Sequence, residues 1–464
     1  MQVSNKVYFY LSGIALIICS YFSEGFLHVD EHFQILEFIN YKLGLTPLVD
    51  LAWEFPAKIR PWIQPFFYYH LVKFFSFLGI NSPFTWAWLL RLTTVALTIT
   101  NFYFVKKYFS KKVFLLTIFF YPLIYLGARL SSEAVGGAIF YLAYIFLTYE
   151  DSKDSKTQIL TGALLALSFY IRFQIGIMIA ALALHEILIN KISFKRFSNI
   201  CIGFFSVVAI CLLIDKWGYG EYAFSPWNYL YQNLVLGKAS GYGVSPFYDY
   251  FIQIFRKLPF PIGALLIFSH IYYWVKRPKD PITWTTLSFF IVHSMIGHKE
   301  TRFLFPMCWF APIIFKYTLD QFQKFKITKY ALYLTIVVNL AIFSIVLFRR
   351  AHISIDYFRY LSKNPITKVY VLGNTFPFYL AKLKFNFYNK IRPIEIPLES
   401  SKNLSVVKED TFYVFASRGN QFFDINEHKN CNILYSSYPS WVLNYNIGNW
   451  IKRSKFWSLH KCTK

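Results

Sequence analysis

The chain has 464 residues, 56% hydrophobic, 21% aromatic and only 16% charged, with a mean hydropathy of +0.38, which excludes an ordinary soluble globular protein and makes a polytopic membrane protein the default class. Its 48 Lys and Arg against 24 Asp and Glu leave a net charge of +24. No nucleic-acid module accompanies that charge, and much of the excess lies in short loops between apolar runs, as the positive-inside rule expects, so nucleic acid is rejected as a partner.

The N-terminus, "MQVSNKVYFYLSGIALIICSYFSE", has one Lys, an apolar run and no small-x-small cleavage pattern, so it reads as a retained first helix rather than a removable signal peptide. Beyond it comes "FLHVDEHFQILEF", with Asp30 and Glu31 just past the apolar run. Acids beside hydrocarbon are costly unless solvated, paired or used. A helix over 30–43 ending at Gly44 places Asp30, Gln34 and Glu37 on one face, while the plainer reading makes Asp30 the N-cap of that helix.

Next is "DLAWEFPAKIRPWIQP", where Trp53, Glu54 and Arg60 mix an aromatic surface with charge in a way that suits a sugar or a phosphate. An interfacial belt of aromatic and solvated charged residues is the alternative. The apolar stretch "WIQPFFYYHLVKFFSFLG" reads as an interfacial or re-entrant helix, since a full span here would break the parity of the loops that follow.

Runs of spanning length lie near 7–23, 87–105, 113–128, 134–149, 157–171, 174–190, 198–214, 259–275, 281–297, 303–319 and 328–348. With these eleven spans, the basic stretches "KKYFSKK", "KDSK", "KISFKR", "KRPKD" and "KFKITK" all fall on one side, which should be cytoplasmic. The opposite side receives the loop 24–86, the turn "RLSSE", the loop from Asp215 to about 258, "HKETR" and everything beyond about 349.

Two of those outer segments are chemically dense. "DKWGYGEYAFSPWNYLYQNLVLGKASGYGVSP" is rich in Gly, Trp, Tyr, Pro and Asn, giving bends and aromatic walls of the kind carbohydrate sites use. "IGHKETRFLFP" sets His298, Lys299, Glu300 and Arg302 in a very short turn, and clustered cations at that depth are what a lipid-linked phosphate needs. From Arg349 onward 18 basic and 7 acidic residues leave +11, and "KVYVLGN", "IRPIEIPL" and "DTFYVFASR" read as strands of a small α/β or α+β domain.

The domain reading is thus a transmembrane catalytic region 1–348, with the first outer loop at 24–86, and a soluble extracytoplasmic region 349–464. Cys19, Cys201, Cys211 and Cys308 fall in apolar runs, whereas Cys431 and Cys462 lie in the polar C-terminal region, where a disulfide is permitted outside the cytoplasm. The cysteine spacing calls for no metal, and the absence of a P-loop, a dinucleotide fingerprint or a DxD leaves a nucleotide phosphate no cradle.

Taken together, "HVDEHFQ", "WEFPAKIRPW", "DKWGYGEYAFSPWNYLYQN" with "GYGVSP", and "HKETRFLFP" resemble glycosyltransferase family 22, in the family's order and across most of residues 7 to 320. That family includes GPI-anchor and dolichol-linked oligosaccharide alpha-mannosyltransferases, and the blocks look most like its third mannosyltransferase of GPI assembly. The resemblance implies a GT-C fold and inverting transfer of mannose from a polyprenyl-phosphate donor to a glycolipid or lipid-linked glycan, at the lumenal face of the endoplasmic reticulum or the periplasmic face of a bacterial inner membrane. It implies Asp30 as the catalytic base with Glu31 beside it in the motif. Nothing visible in the sequence requires a metal or other cofactor. The "AWE" block departs from the family's pattern, and the C-terminal domain matches nothing in it. A lipid-linked-glycan transporter or flippase, expected to carry intramembrane charges and repeat-related half-helices, and an assembly subunit of a glycosylation complex are the readings from other classes.

Overall fold

A computed structural model describes residues 5–150, 154–352, 355–372, 383–387, 394–398, 407–426, 430–454 and 456–463. The chain forms two compact units: one of residues 1–23, 52–71 and 88–349, the other of residues 24–51, 72–87 and 350–464. The second is not the C-terminal region alone, because the stretch containing Asp30 belongs to it.

The first unit is helical. Five of the described helices are long and apolar enough to cross a membrane: Asn5–Phe22, Pro83–Tyr108, Ser132–Tyr149, Phe194–Tyr219 and Lys326–Phe348. Each of the other expected spans also coincides with helix, in pieces of fewer than 18 residues. The run at 113–128 is split into Lys111–Phe119 and Tyr121–Leu126, because Pro122 cannot continue the first helix. Asn339 bridges the break, donating to the Phe119 carbonyl (2.6 Å) and accepting from the Tyr121 N–H (3.3 Å). The run at 303–319 opens as a 3₁₀ helix, Thr301–Trp309, before Ala311–Phe322. "WIQPFFYYHLVKFFSFLG" contains the 15-residue helix Ile63–Phe77, short of a full span.

Helices Ser155–Ile171 and Phe194–Tyr219 cross through glycine. A Cβ on Gly162 would strike the Ile200 carbonyl, and one on Gly203 would strike the Ile159 carbonyl, so each helix leaves room for the other's backbone. Close backbone approach through small residues is how helices associate where lipid removes the hydrophobic drive. Buried aromatic rings fill the centre of this unit, with Tyr141 stacked on Trp309 at 5.2 Å.

The second unit contains a five-stranded sheet: β1 (Lys368–Leu372), β2 (Ile394–Leu398), β3 (Thr411–Ala416), β4 (Cys431–Ser436) and β5 (Ser458–Thr463), in the order β2-β1-β3-β5-β4. β1 pairs in parallel with β2 and β3, while β5 runs antiparallel to β3 and β4. The three expected strands are present; residues 373–374 and 391–393 of the quoted stretches lie outside the described residues. β4 and β5 are additional, and Cys431 pairs with Cys462 across them in a disulfide.

Residues 24–51 are tied to the C-terminal part of the same unit. The Glu24 carbonyl accepts the Ala351 N–H (2.9 Å), the Glu24 carboxylate pairs with Arg359, and Phe26 stacks on His352 at 4.4 Å. Gly25, at φ +82°, passes so close to His352 that a Cβ would lie 2.9 Å from that residue's own, so both its backbone angle and its surroundings require glycine.

Candidate functional site

In the first unit, three segments that the sequence singled out come together. The 52–62 stretch is fixed to the end of helix Phe194–Tyr219 by backbone contacts. The buried Asp215 carboxylate accepts the Trp62 N–H (2.8 Å) and the Ser225 hydroxyl (2.6 Å). The Tyr219 hydroxyl donates to the Arg60 carbonyl (2.6 Å) and accepts its N–H (3.2 Å). Arg60 is thereby held beside Glu54 (3.5 Å) with its guanidinium 5.9 Å from the centre of the Tyr229 ring, and Glu54 is buried.

Trp53 lies on a line of rings. It stacks with Tyr242 at 6.5 Å, Tyr242 lies 5.7 Å from His298, and His298 is 6.1 Å from Phe303. One aromatic row therefore links the segments 50–65, 215–246 and 296–312. Trp53 and His298 are half-buried and Tyr242 is exposed, which leaves ring faces accessible to a sugar.

Charge is concentrated beside that row. Glu300 accepts from His298 Nε2 (2.9 Å) and forms an ion pair with Arg302 Nε (2.8 Å). Arg302 also faces Glu133 (3.7 Å), which pairs with Arg172 (3.0 Å), and both guanidinium groups lie within 6 Å of the Phe303 ring. The Glu133 and Arg172 side chains are only 2% and 5% exposed. Burying ion pairs brings little net stability after desolvation, so stability alone does not account for the cluster.

Glu133 and Arg172 escaped the sequence reading. The sequence carried a signal for them, because the turn "RLSSE" and the junction "YIRFQ" set isolated charges between apolar runs, where such charges stand out.

Lys299 is committed differently from Arg302. Its ammonium donates to the carbonyls of Ile296 (2.7 Å) and Ser245 (2.8 Å), and the Ser245 N–H returns a bond to Gly297 (2.9 Å). It pins the glycine-rich loop against its own turn, and burial pulls its pKa below the usual lysine range. The Lys299 ammonium is thus committed to backbone carbonyls, where clustered charge alone had grouped it with the phosphate-binding cations.

The second unit holds the acidic motif. A helical stretch runs through Val29–Glu31, a π-helical turn His32–Leu36 and Glu37–Lys42, ending at Gly44 with φ +80°. The N-cap is His28, whose Nδ1 accepts the Asp30 N–H (3.4 Å), so Asp30 is not needed as the cap. The Asp30 carboxylate is partly exposed, 3.6 Å from the His28 ring. Glu31 is buried and accepts the Leu27 N–H (3.2 Å). Glu37, fully buried, accepts from Thr46 Oγ1 (2.6 Å) and the Phe385 N–H (2.9 Å) and meets His32 Nε2 (2.8 Å). The π turn removes the simple four-and-three spacing expected for Asp30, Gln34 and Glu37, and leaves Glu37 a structural anchor.

Residues 8–378 match the Alg9-like mannosyltransferase family. The chain belongs to the Alg9-like mannosyltransferase family. Relatives of this Alg9-like chain include GPI alpha-1,2-mannosyltransferase 3 of Bos taurus, 25% identical over 70% of this chain and 61% of the relative. GPI mannosyltransferase 4 of Candida albicans is 26% identical over 68% of this chain and 69% of the relative. The chain thus spans about three fifths of the length of the first of these. Among solved structures, ArnT from Cupriavidus metallidurans bound to undecaprenyl phosphate superposes with a TM-score of 0.53 at 10% identity, covering 98% of this chain and 97% of ArnT. The Alg9-like chain has the GT-C fold.

Proposed function

We propose that this Alg9-like protein is a membrane glycosyltransferase that transfers a hexose, mannose, from a polyprenyl-phosphate donor to a glycolipid or lipid-linked glycan. The single observation that carries the reading is the row Glu300–Arg302–Glu133–Arg172, half-buried at its first two members and buried at its last two, beside the rings of Trp53, Tyr242 and His298, in a chain of this family. A planar guanidinium held on one edge by Glu300 is preorganised to grip a phosphate oxygen, and needs little reorganisation as charge develops on the leaving phosphate. The leaving group is already a stable anion, so a base alone can serve at the acceptor hydroxyl. Asp30 takes that role and Glu31 is its neighbour. Trp53 and Tyr242 receive the sugar, Glu54 and Arg60 set the Trp53 segment, and His298 and Arg302 contact the donor phosphate. The distribution of basic loops supports a cytoplasmic N-terminus and a reaction on the lumenal or periplasmic side.

The test is transfer of labelled mannose from a polyprenyl-phosphate carrier to acceptor lipids extracted from cells lacking this chain. Asp30→Asn keeps size and, with His28 as the cap, keeps the helix. Normal membrane yield with transfer reduced about 10²–10⁴-fold is expected for loss of a general base. Wild-type transfer by Asp30→Asn would remove Asp30 from the mechanism and leave Glu31 as the next residue to test.

A further inference from the structure

The first unit contains a cavity of about 790 Å³ that is lined by none of the residues assigned above to the transfer reaction. Its walls come from Lys111–Phe119, Ile262–Lys276, Ala311–Phe322 and Lys326–Phe348, and they are almost wholly apolar, with Leu115, Leu265, Phe315 and Leu332 among the lining side chains. From Ala311 to Gln323 the wall is about 18 Å long at 1.5 Å per helical residue, the scale of a fatty-acyl chain rather than a headgroup.

One rim is charged. Lys112, Lys316 and Lys329 line the cavity with one acid, Asp320, which pairs with Lys316 (2.5 Å) and Lys112 (3.6 Å). Three cations against one anion leave an excess of two positive charges at the mouth of an apolar cleft. Lys112 and Lys329 belong to the stretches "KKYFSKK" and "KFKITK", and Lys316 lies about two turns before the second on the same helix as Asp320, so by loop charge the rim belongs to the side of the basic loops, opposite in parity to the turn carrying Arg302.

We propose that this cleft holds a two-chain phospholipid with an anionic headgroup, its phosphate at the Lys112–Lys316–Lys329 rim and its acyl chains along Leu115, Leu265, Phe315 and Leu332. The charge excess selects an anionic headgroup, the apolar walls select the chains, and the rim's side separates this lipid from a donor whose phosphate goes to Arg302. The site stands whether or not the transfer reaction is as proposed.

The full-length protein, purified in detergent, is incubated with equal phosphatidylglycerol and phosphatidylcholine and the bound lipid is counted by native mass spectrometry. Wild type should retain phosphatidylglycerol with a preference of roughly tenfold. The triple variant Lys112→Ser, Lys316→Ser, Lys329→Ser should lose the preference while still holding lipid, and Leu332→Trp should lower retention of both lipids with an unchanged elution profile. An undiminished preference in the triple variant would overturn the proposal. So would one-for-one displacement by a polyprenyl phosphate, which would give the cleft to an isoprenoid tail, or a second protein chain occupying it in place of lipid.

Discussion

At the scale of single residues, neighbours in one short turn take opposite tasks. Lys299 and Arg302 are three positions apart, yet Lys299 donates to backbone carbonyls while Arg302 lies between two carboxylates. Lys299→Met should therefore act through the loop that Lys299 holds, lowering thermal stability and loosening the glycine-rich segment, which hydrogen exchange of residues 237–246 would register. Arg302→Lys retains charge but loses the planar fork, so it should raise the apparent KM for the polyprenyl donor and lower turnover while leaving the melting temperature near wild type. Equal stability losses and equal donor affinities in the two variants would refute this division. The motif "HKETR" was legible in the sequence as a dense cationic turn. Which cation is engaged by backbone was not, because Ser245 lies more than fifty positions away from Lys299.

At the scale of elements, the packing of helices and strands sets further expectations. Gly162 and Gly203 have no room for a side chain, whereas a Cβ on Gly13 would meet only Ile99 Cδ1 at 3.7 Å, an ordinary contact. Gly162→Leu should sharply reduce folded yield, with Gly13→Ala close to wild type, as read by monodisperse recovery from membranes. Equal recovery would mean that these helices do not cross at glycine. In β5, His460 is fully buried and desolvation lowers its pKa to about 4. The unfolded chain, with an ordinary histidine, takes up the proton first, so stability holds at neutral pH and falls as pH drops from about 6.5 towards 4, by at most about 1.4 kcal/mol per unit. His460→Gln should flatten that dependence, measured by hydrogen exchange of β3 and β5 corrected for intrinsic rate. An unchanged slope would show that another group carries it. The strands β1 and β3 were visible as β-branched and aromatic runs. β4 and β5 were not, since "CNILYS" and "SLHKCT" carry little alternation and owe their pairing to each other.

At the scale of the whole molecule, sidedness and the disulfide test one another. Cys431 and Cys462 are bonded, and a bond of that kind persists where the compartment is oxidising. The pair should resist thiol labelling until reductant is added, and a glycosylation tag near residue 400 should be modified. Closing a loop of sequence separation 31 stabilises by about 3–4 kcal/mol in the chain-entropy picture, so Cys431→Ser should destabilise the second unit by that order. A free pair and an unmodified tag would together reverse the topology. The sequence by itself determined the membrane class, the eleven apolar runs and the family motifs, because hydropathy and motif are properties of a segment alone. Only the tertiary structure decided that Glu133 and Arg172 join Arg302, that His28 rather than Asp30 caps its helix, and that residues 24–51 belong with the C-terminal sheet. Each of these depends on which groups lie within bonding distance after folding, and separation along the chain does not encode that distance.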